Sequence, residues 1–573
     1  MASDSKTSFR KIIRFYCKNS SVPGISWVVE KNIFFVERLF WVLLNVAMLG
    51  CTAIFLHHLA EDNFEYPVIV TPESADLPIQ KIEFPGVAIC SINKISKKRA
   101  LKLAKLLRLL FQYNGIGAAF TTNEFNAKFK LPSSTSTYTA ELTTQINLKN
   151  LRFLAIACVS IFEIFGASCG NILICSRQKI EKNADFRTLV EDIKLLGNLY
   201  DLDIYDPGRL SEFQDLLDDI DNTTEIDDPK LRMRELTAPC EEMLSDCKWA
   251  GEKYNCSDLF ASRMTYDGIC CVFNYVKPLK ETSEQKRDSV PPPLEPQRPL
   301  GSGIEYGLTV ELHNNIEDYF LSTFETTGYS VKIFNPQDFP DKISGSLSDI
   351  IVNFGIEVLL SIDVEVVKSS DFMKILPYNM RSCIFEDEEK TSFGSYRHSD
   401  CMVECKLRIM KDMCNCIPIT SSTNYDMEGI GDVNFCTLID LPCLNKYRTK
   451  WLKYFPIGVS SSNLENEKYD SMKCTKCYPS CNNIIYKVSS NTAPLFHHRY
   501  KNRHSYLNVF FNKPFVASYQ MDVSETWYDM IANIGGFLSL FMGISVITAM
   551  EIIILIYKLA CYCIFRINAV YFQ

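Results

Sequence analysis

The chain has 573 residues, a formal net charge of −8, 47% hydrophobic residues and 23 cysteines. Nothing in that balance suits a nucleic-acid partner, and no catalytic metal motif, nucleophile motif or phosphate loop marks an enzyme. Two long apolar runs, one near each end, point instead to a membrane protein with a large folded region between them.

Residues 1–38 hold seven basic side chains: Lys6, Arg10, Lys11, Arg14, Lys18, Lys31 and Arg38. Leu39–Leu59 (LFWVLLNVAMLGCTAIFLHHL) then runs without Asp, Glu, Lys or Arg, at about the 20 residues a helix needs to cross a bilayer. It lies too deep for a signal peptide, and no small-residue cleavage pattern follows it. His57 and His58 near its end read as interfacial polar residues at a membrane boundary. Glu61, Asp62 and Glu65 come next.

Strand-like apolar runs follow at Phe84–Cys90, Gly307–Leu312, Ser330–Phe334 and Ile350–Leu360, often closed by Pro or Asp turns. Ser96–Tyr113 has helical periodicity, basic on one face and leucine-rich on the other. It reads as a helix packed by its leucines, with a membrane-surface helix as the alternative. Phe153–Cys175 is almost apolar enough to be a further span, but Glu163 interrupts it. A crossing there would put the cysteines beyond it in the reducing cytosol, so a buried element or a subunit contact is the better reading. Sequons at Asn222-Thr223-Thr224 and Asn255-Cys256-Ser257 mark acceptors for glycosylation. The prolines of Ser289–Gly303 mark a loop. Asp400–Met413 reads as a helix with Cys401 and Cys405 on one face.

The last apolar run, Ile531–Tyr557, carries three glycines, two serines, a threonine and Glu551. A plain anchor would be Leu/Ile-rich throughout. Small residues let helices approach closely, and an ionisable residue in a span is a functional signal. Asp522, Glu525 and Asp529 precede this run, and Lys558 and Arg566 follow it. The charge asymmetry at both spans places residues 1–38 and 558–573 in the cytoplasm and residues 60–530 outside the cell. Four cysteines (Cys17, Cys51, Cys561, Cys563) lie in or behind the spans, leaving 19 outside. That density suits disulfides in an oxidising compartment, and the odd count leaves at least one thiol free or bonded between chains. Zinc is the rival for Cys474-x-x-Cys477-x-x-x-Cys481 and Cys414-x-Cys416, but structural zinc usually takes two tight hooks and only one exists.

These pieces, from Ser20 to Tyr557, resemble the degenerin/epithelial sodium channel superfamily. Phe84-Pro85-Gly86-Val87-Ala88-Ile89-Cys90 is similar to that family's FPAVTIC element, and Gly268-Ile269-Cys270-Cys271-Val272-Phe273-Asn274 to its GxCxxFN. Arg381-Ser382-Cys383 opens a ten-cysteine framework ending at Cys481, and Gly543-Ile544-Ser545 matches the G-x-S selectivity tract. Cys247-Lys248-Trp249 with Cys256, the paired Cys270-Cys271 and Cys477-Tyr478-Pro479-Ser480-Cys481 look most like the insect pickpocket branch. The resemblance implies two membrane helices flanking a disulfide-rich mixed α/β ectodomain of clenched-hand form. It also implies a homo- or heterotrimer in the plasma membrane, no cofactor beyond the permeant Na⁺, and frequent block by amiloride.

Residue by residue, the resemblance makes Gly543, Ile544 and Ser545 the selectivity filter, with Glu551 in the lower pore on the cytosolic side. Main-chain carbonyls and the Ser545 hydroxyl are plausible oxygen ligands for a partly dehydrated cation. Ala532 matches the degenerin position of the gate. Gly536 and Leu540 should line the closed constriction, sharing with Gly543 one face of a continuous helix. Asp522, Glu525 and Asp529 would concentrate cations at the outer mouth. By analogy the disulfides are Cys383–Cys481, Cys401–Cys477, Cys405–Cys474, Cys414–Cys443, Cys416–Cys436, Cys90–Cys270, Cys247–Cys256 and Cys240–Cys271. Two positions depart from the pattern. Pro23 stands before Gly24 where the family's cytoplasmic gating motif has histidine, and Asn533 stands where acid-sensing relatives carry aspartate. An auxiliary or poorly conducting subunit therefore stays open as a reading. A channel of the ATP-gated two-span type shares the gross architecture, but the phosphate-binding basic cluster and the cysteine order it needs are not seen.

Overall fold

The computed structural model describes residues 14–30, 33–65, 67–117, 186–201, 207–224, 229–277, 295–343, 347–421, 434–455, 465–495 and 504–571. The apolar stretch Phe153–Cys175 lies outside them, as do Cys158, Cys169 and Cys175. A short helix α1 (Ile25–Val29) precedes the long helix α2 (Phe35–Glu65). Within α2, Phe35–Glu61 is long and apolar enough to cross a membrane, four residues earlier in start than the run read from sequence and two longer at its end. Phe40, Leu43, Val46, Leu49 and Ile54 are exposed along it. A helix apolar on its outside must find lipid or partner helices.

The strands of the two larger sheets, in chain order, are β1 (Val68–Pro78), β2 (Gly86–Ser91), β3 (Leu244–Trp249), β4 (Glu252–Lys253), β5 (Phe260–Thr265), β6 (Gly268–Phe273) and β7 (Leu308–His313). They continue as β8 (Tyr329–Phe334), β9 (Ser348–Val352), β10 (Ile356–Ser369), β11 (Asn483–Pro494), β12 (His504–Phe511) and β13 (Phe515–Val523). The larger sheet runs β1–β13–β10–β12–β7–β3–β4. Its spine is β10, whose 14 residues alternate between buried and half-buried along most of their length. One edge of β10 pairs antiparallel with β11, and the other pairs parallel with β12 and then β13. The smaller sheet, β9–β8–β2–β6–β5, is antiparallel throughout.

The run Ile350–Leu360, expected as one strand, is two. It breaks at Asn353-Phe354-Gly355, and Gly355 takes a positive φ of 79° that a β-branched residue could not adopt cheaply. The apolar count across that turn hid it, because Phe354 packs against the core from the bend.

The two sheets face each other across one core. Phe84 is fully buried there, edge-on to Trp249 at 4.6 Å and to Phe511 at 5.4 Å, and Phe273 lies 5.0 Å from Trp249. Phe84, Trp249 and Phe273 belong to the motifs that carried the resemblance, so those motifs specify how the sheets pack around β2 and β6. Asn274 completes the junction: its Nδ2 donates to the Phe84 carbonyl at 2.5 Å, and its Oδ1 accepts from the Gln297 N–H at 2.8 Å.

A helical layer covers one end. In α3 (Lys97–Gly117), Ala100, Ala104 and Leu107 are buried, packed in one cluster with Leu189 and Ile193 of α4 (Phe186–Leu195). The helix is thus an internal packing element, and its small residues seat it as much as its leucines. Helices α5 (Pro207–Thr224) and α6 (Pro229–Leu236) add Leu210, Phe213, Leu217 and Met233 to the same cluster.

Helix α7 (His398–Cys414) carries the cysteine ladder. The pairs are Cys383–Cys481, Cys401–Cys477, Cys405–Cys474, Cys414–Cys443 and Cys416–Cys436, nested as the resemblance implied. Cys90–Cys270, Cys240–Cys271 and Cys247–Cys256 pair around the sheets. Cys474, Cys477 and Cys481 are all consumed, so the zinc reading of that hook falls. Asn255, next to the bonded Cys256, is exposed; Asn222 lies in the last turn of α5.

The first turn of α7 is tied to the sheets by a buried ion pair. The Lys277 ammonium meets the Asp400 carboxylate, and both side chains are under 10% exposed. Lys277 also lies 4.4 Å from the centre of the Phe393 ring. Removing the cation alone strands a buried carboxylate, a loss of about 3–5 kcal/mol. Lys277→Met is therefore expected to lower thermal stability and surface delivery, and Lys277→Met with Asp400→Leu to recover most of both. Thermal unfolding of the two purified variants checks this; equal loss in single and double variants would refute the pairing argument.

Candidate functional site

The second apolar run is not the single helix expected. Helix α8 (Trp527–Met542) and helix α9 (Val546–Tyr571) meet at 84° across Gly543-Ile544-Ser545. Gly543 ends α8 in the left-handed conformation, φ 61°, with its N–H on the Ser539 carbonyl at 3.0 Å. Glycine reaches that conformation without the penalty other residues meet, which makes it the common stop of a helix. Ser545 starts α9. Its Oγ accepts from the Thr548 N–H at 3.4 Å, while the Thr548 hydroxyl donates to the Ser545 carbonyl at 2.8 Å. Serine at a helix start is preferred because its oxygen satisfies an otherwise unpaired N–H. Gly543 therefore lies beyond the face that Gly536 and Leu540 share.

Those two residues remain one turn apart on α8. Leu540 is 76% exposed, and a Cβ added at Gly536 would meet nothing within 4 Å. Ala532, a turn earlier, is exposed as well. The adjoining face of α8 packs on α2, where Phe55 stacks with Phe537 at 5.4 Å and Phe541 at 5.2 Å. One side of α8 is thus held by α2, and the side bearing Ala532, Gly536 and Leu540 stands open.

The N-terminal segment reaches the break from the side away from the sheets. A Cβ on Gly543 would come within 2.7 Å of Pro23 Cγ. Gly24 has φ 82°, and a Cβ on it would come within 2.6 Å of Asn45 Nδ2 and 2.9 Å of Trp41 Cε3. Trp27 of α1 stacks on Trp41 with ring centres 6.3 Å apart. Ser21 Oγ donates to Glu551 Oε1 at 2.7 Å, and the Ser21 N–H to Oε2 at 3.3 Å. Residues 21–27 are wedged between α2, the Gly543 break and Glu551 of α9.

Asp522, Glu525 and Asp529 each have a partner. Asp522 accepts from Ser370 Oγ at 2.6 Å, and Asp529 closes a capping box with Thr526. Glu525 takes Asn63 Nδ2 at 3.2 Å and Asn533 Nδ2 at 3.0 Å, so it links the sheet-side ends of α2 and α8. Strands β1 and β13 pair directly above, Val68 opposite Val523, and lead straight into the two helices.

A family model described as "Amiloride-sensitive sodium channel" matches residues 16–555, from the wedge through the break. The chain belongs to the amiloride-sensitive sodium channel family. It is similar to Pickpocket protein 28 of Drosophila melanogaster, 21% identical over 96% of this chain and 78% of that protein. Sodium channel protein Nach of Drosophila ananassae is 22% identical over 95% of this chain and 86% of its own. Degenerin mec-10 of Caenorhabditis elegans is 25% identical over 51% of this chain and 37% of its own. Family members are cation channels of the plasma membrane, not enzymes.

Four contributors to the site escaped the reading of the sequence. Thr548, Trp41 and Asn45 are second partners whose roles appear only when the segments meet, and Ser21 finds Glu551 530 positions away. A local signal did exist for the break: Gly543 as a helix stop, then Ser545 and Thr548 as a helix start.

Proposed function

We propose that the chain is one subunit of a trimeric, sodium-preferring cation channel, amiloride-sensitive, with both termini in the cytoplasm and residues 60–530 outside. Three copies of the Gly543–Ser545 break form the narrowest part of the ion path, with Glu551 on its cytosolic side. A helix broken in this way leaves carbonyls without partners inside the helix, and carbonyls are suited to replacing part of a cation's water shell. Ala532, Asn533, Gly536 and Leu540 form the gate above. Asp522, Glu525 and Asp529 give the outer mouth its negative potential. The observation that carries this reading is the left-handed break at Gly543, seated on Pro23 of the N-terminal wedge.

An extracellular stimulus, whether a peptide, another ligand or force, would act through the β1–β13 pair, since any tilt of those strands moves α2 and α8 together. Pro23 favours a second reading, a subunit that conducts only beside a related partner. Recordings from cells expressing the chain alone, and with a related subunit, test both. Amiloride-blocked current that falls when Na⁺ is replaced by a large organic cation is expected in at least one case. Ser545→Phe should change the Na⁺/K⁺ permeability ratio or abolish current at equal surface density. Parental permeability ratios in that variant would sink the filter assignment.

A further inference from the structure

Three side chains from two strands converge on the face of the larger sheet turned away from its core. Glu311 and His313 lie two apart in β7, and the register sets His504 of β12 opposite His313. Their neighbours Val310 and Leu312 are fully buried on the other face. One ligand-capable atom from each of Glu311, His313 and His504 lies within 4.8 Å of the other two. His504 Nδ1 is 3.5 Å from Glu311 Oε1, and the two rings meet edge to face at 5.2 Å. Glu311 and His504 are only 16% and 24% exposed, so the cluster is recessed rather than a loose surface group.

We propose that Glu311, His313 and His504 form an extracellular binding site for a transition-metal dication of the zinc type. Two imidazoles and one carboxylate are the donor set that suits zinc, nickel or copper, whereas calcium and magnesium favour oxygen alone. Bonds of about 2 Å to a tetrahedral ion put ligand atoms about 3.3 Å apart. The three ligand atoms, within 4.8 Å of one another, would close to that spacing on binding.

The surroundings are built as metal sites usually are, with the ligands themselves held. Ser245 Oγ of β3 donates to Glu311 Oε2 at 2.7 Å and lies 2.6 Å from His313 Nε2; Tyr506 OH donates to Glu311 Oε1 at 3.1 Å. Such partners orient the ligands and sharpen affinity. A fourth position is left for water or a small anion. The ion would clamp β7 to β12, and β12 leads through β13 into α8. The site lies in the folded region between the membrane helices, so metal binding stands or falls apart from the channel reading, and only its extracellular placement rests on that reading.

The test titrates Zn²⁺ into the full-length protein, purified in detergent with a histidine-free tag, against a chromogenic chelator. In every sample His57, His58, His497 and His498 are replaced by Gln, which removes the competing histidine pairs. One equivalent of Zn²⁺ per chain is expected, undisturbed by excess Mg²⁺. His313→Ala and His504→Ala should each weaken uptake by at least roughly 10–100-fold, the cost usual even for an outer partner. His504→Cys, which keeps a zinc donor, should restore it. Unchanged elution and metal-free melting in the alanine variants separate loss of a ligand from loss of fold. Zinc uptake by the His313→Ala/His504→Ala double variant equal to that of its parent would overturn the site, and so would a parent that takes up none.

Discussion

Assemblies carrying Gly543→Val are expected to pass no measurable cation current while reaching the cell surface at parental density. Two costs fall on that one position. A residue with a Cβ pays about 1–2 kcal/mol to hold the left-handed conformation, and a β-branched residue pays more. The new side chain must also displace Pro23, whose Cγ and Cδ lie 2.7 and 2.9 Å from where the Cβ would be. Relief comes only by straightening the α8–α9 break or by expelling the wedge, and either removes the geometry on which the proposed filter rests. Gly50→Ala is the control, because a Cβ there, on α2 and off the α8 face given to the copies, meets nothing within 4 Å and alanine favours a helix interior. Its current should match the parent's. The wedge contact has its own signature: Pro23→Ala should partly rescue Gly543→Ala, a coupling that distant sites do not show. Parental current in Gly543→Val channels would remove the break from the conduction path.

What the sequence made legible was whatever is encoded locally or twice. Apolar length marked α2 and the α8–α9 run. The cysteine order, read through the family likeness, carried the disulfide nest, because a framework of covalent pairs tolerates little change in spacing. Phe84, Trp249 and Phe273 were legible as motif residues but not as a packed cluster, since periodicity says which face is apolar and not what it meets. The split of Ile350–Leu360 was hidden because a half-buried Phe354 keeps the apolar run continuous through a turn. The bend at Gly543 was hidden for a similar reason: hydropathy runs across the break, while the backbone signal sits in three small residues. The Ser21–Glu551 bond and the seat of Gly24 on Trp41 and Asn45 are purely tertiary. No local signal at Ser21 or Gly24 names the partner.

Ala532→Phe is expected to yield sustained cation current without any stimulus. Ala532 lies in the second turn of α8, on the open side that carries Gly536 and Leu540 and that α2 leaves uncovered. In the proposed trimer that side faces its own copies, and three helices can cross closely only where side chains are small. The outer end is also tethered: Glu525 holds Asn63 and Asn533 together, so α8 cannot relieve a clash by sliding freely along α2. Overpacking at such a crossing costs about 1–3 kcal/mol. Falling on the closed state alone, that moves the open/closed ratio by roughly one to two decades. Ala532→Val, smaller by volume, should lie between parent and Phe, and the graded series separates a steric gate from a general loss of structure. The measurement is steady current at rest, before and after amiloride, normalised to surface density and repeated with a related subunit present. If Ala532→Phe stays silent at the surface in both settings, Ala532 does not stand at a closed crossing and the gate must lie elsewhere along α8.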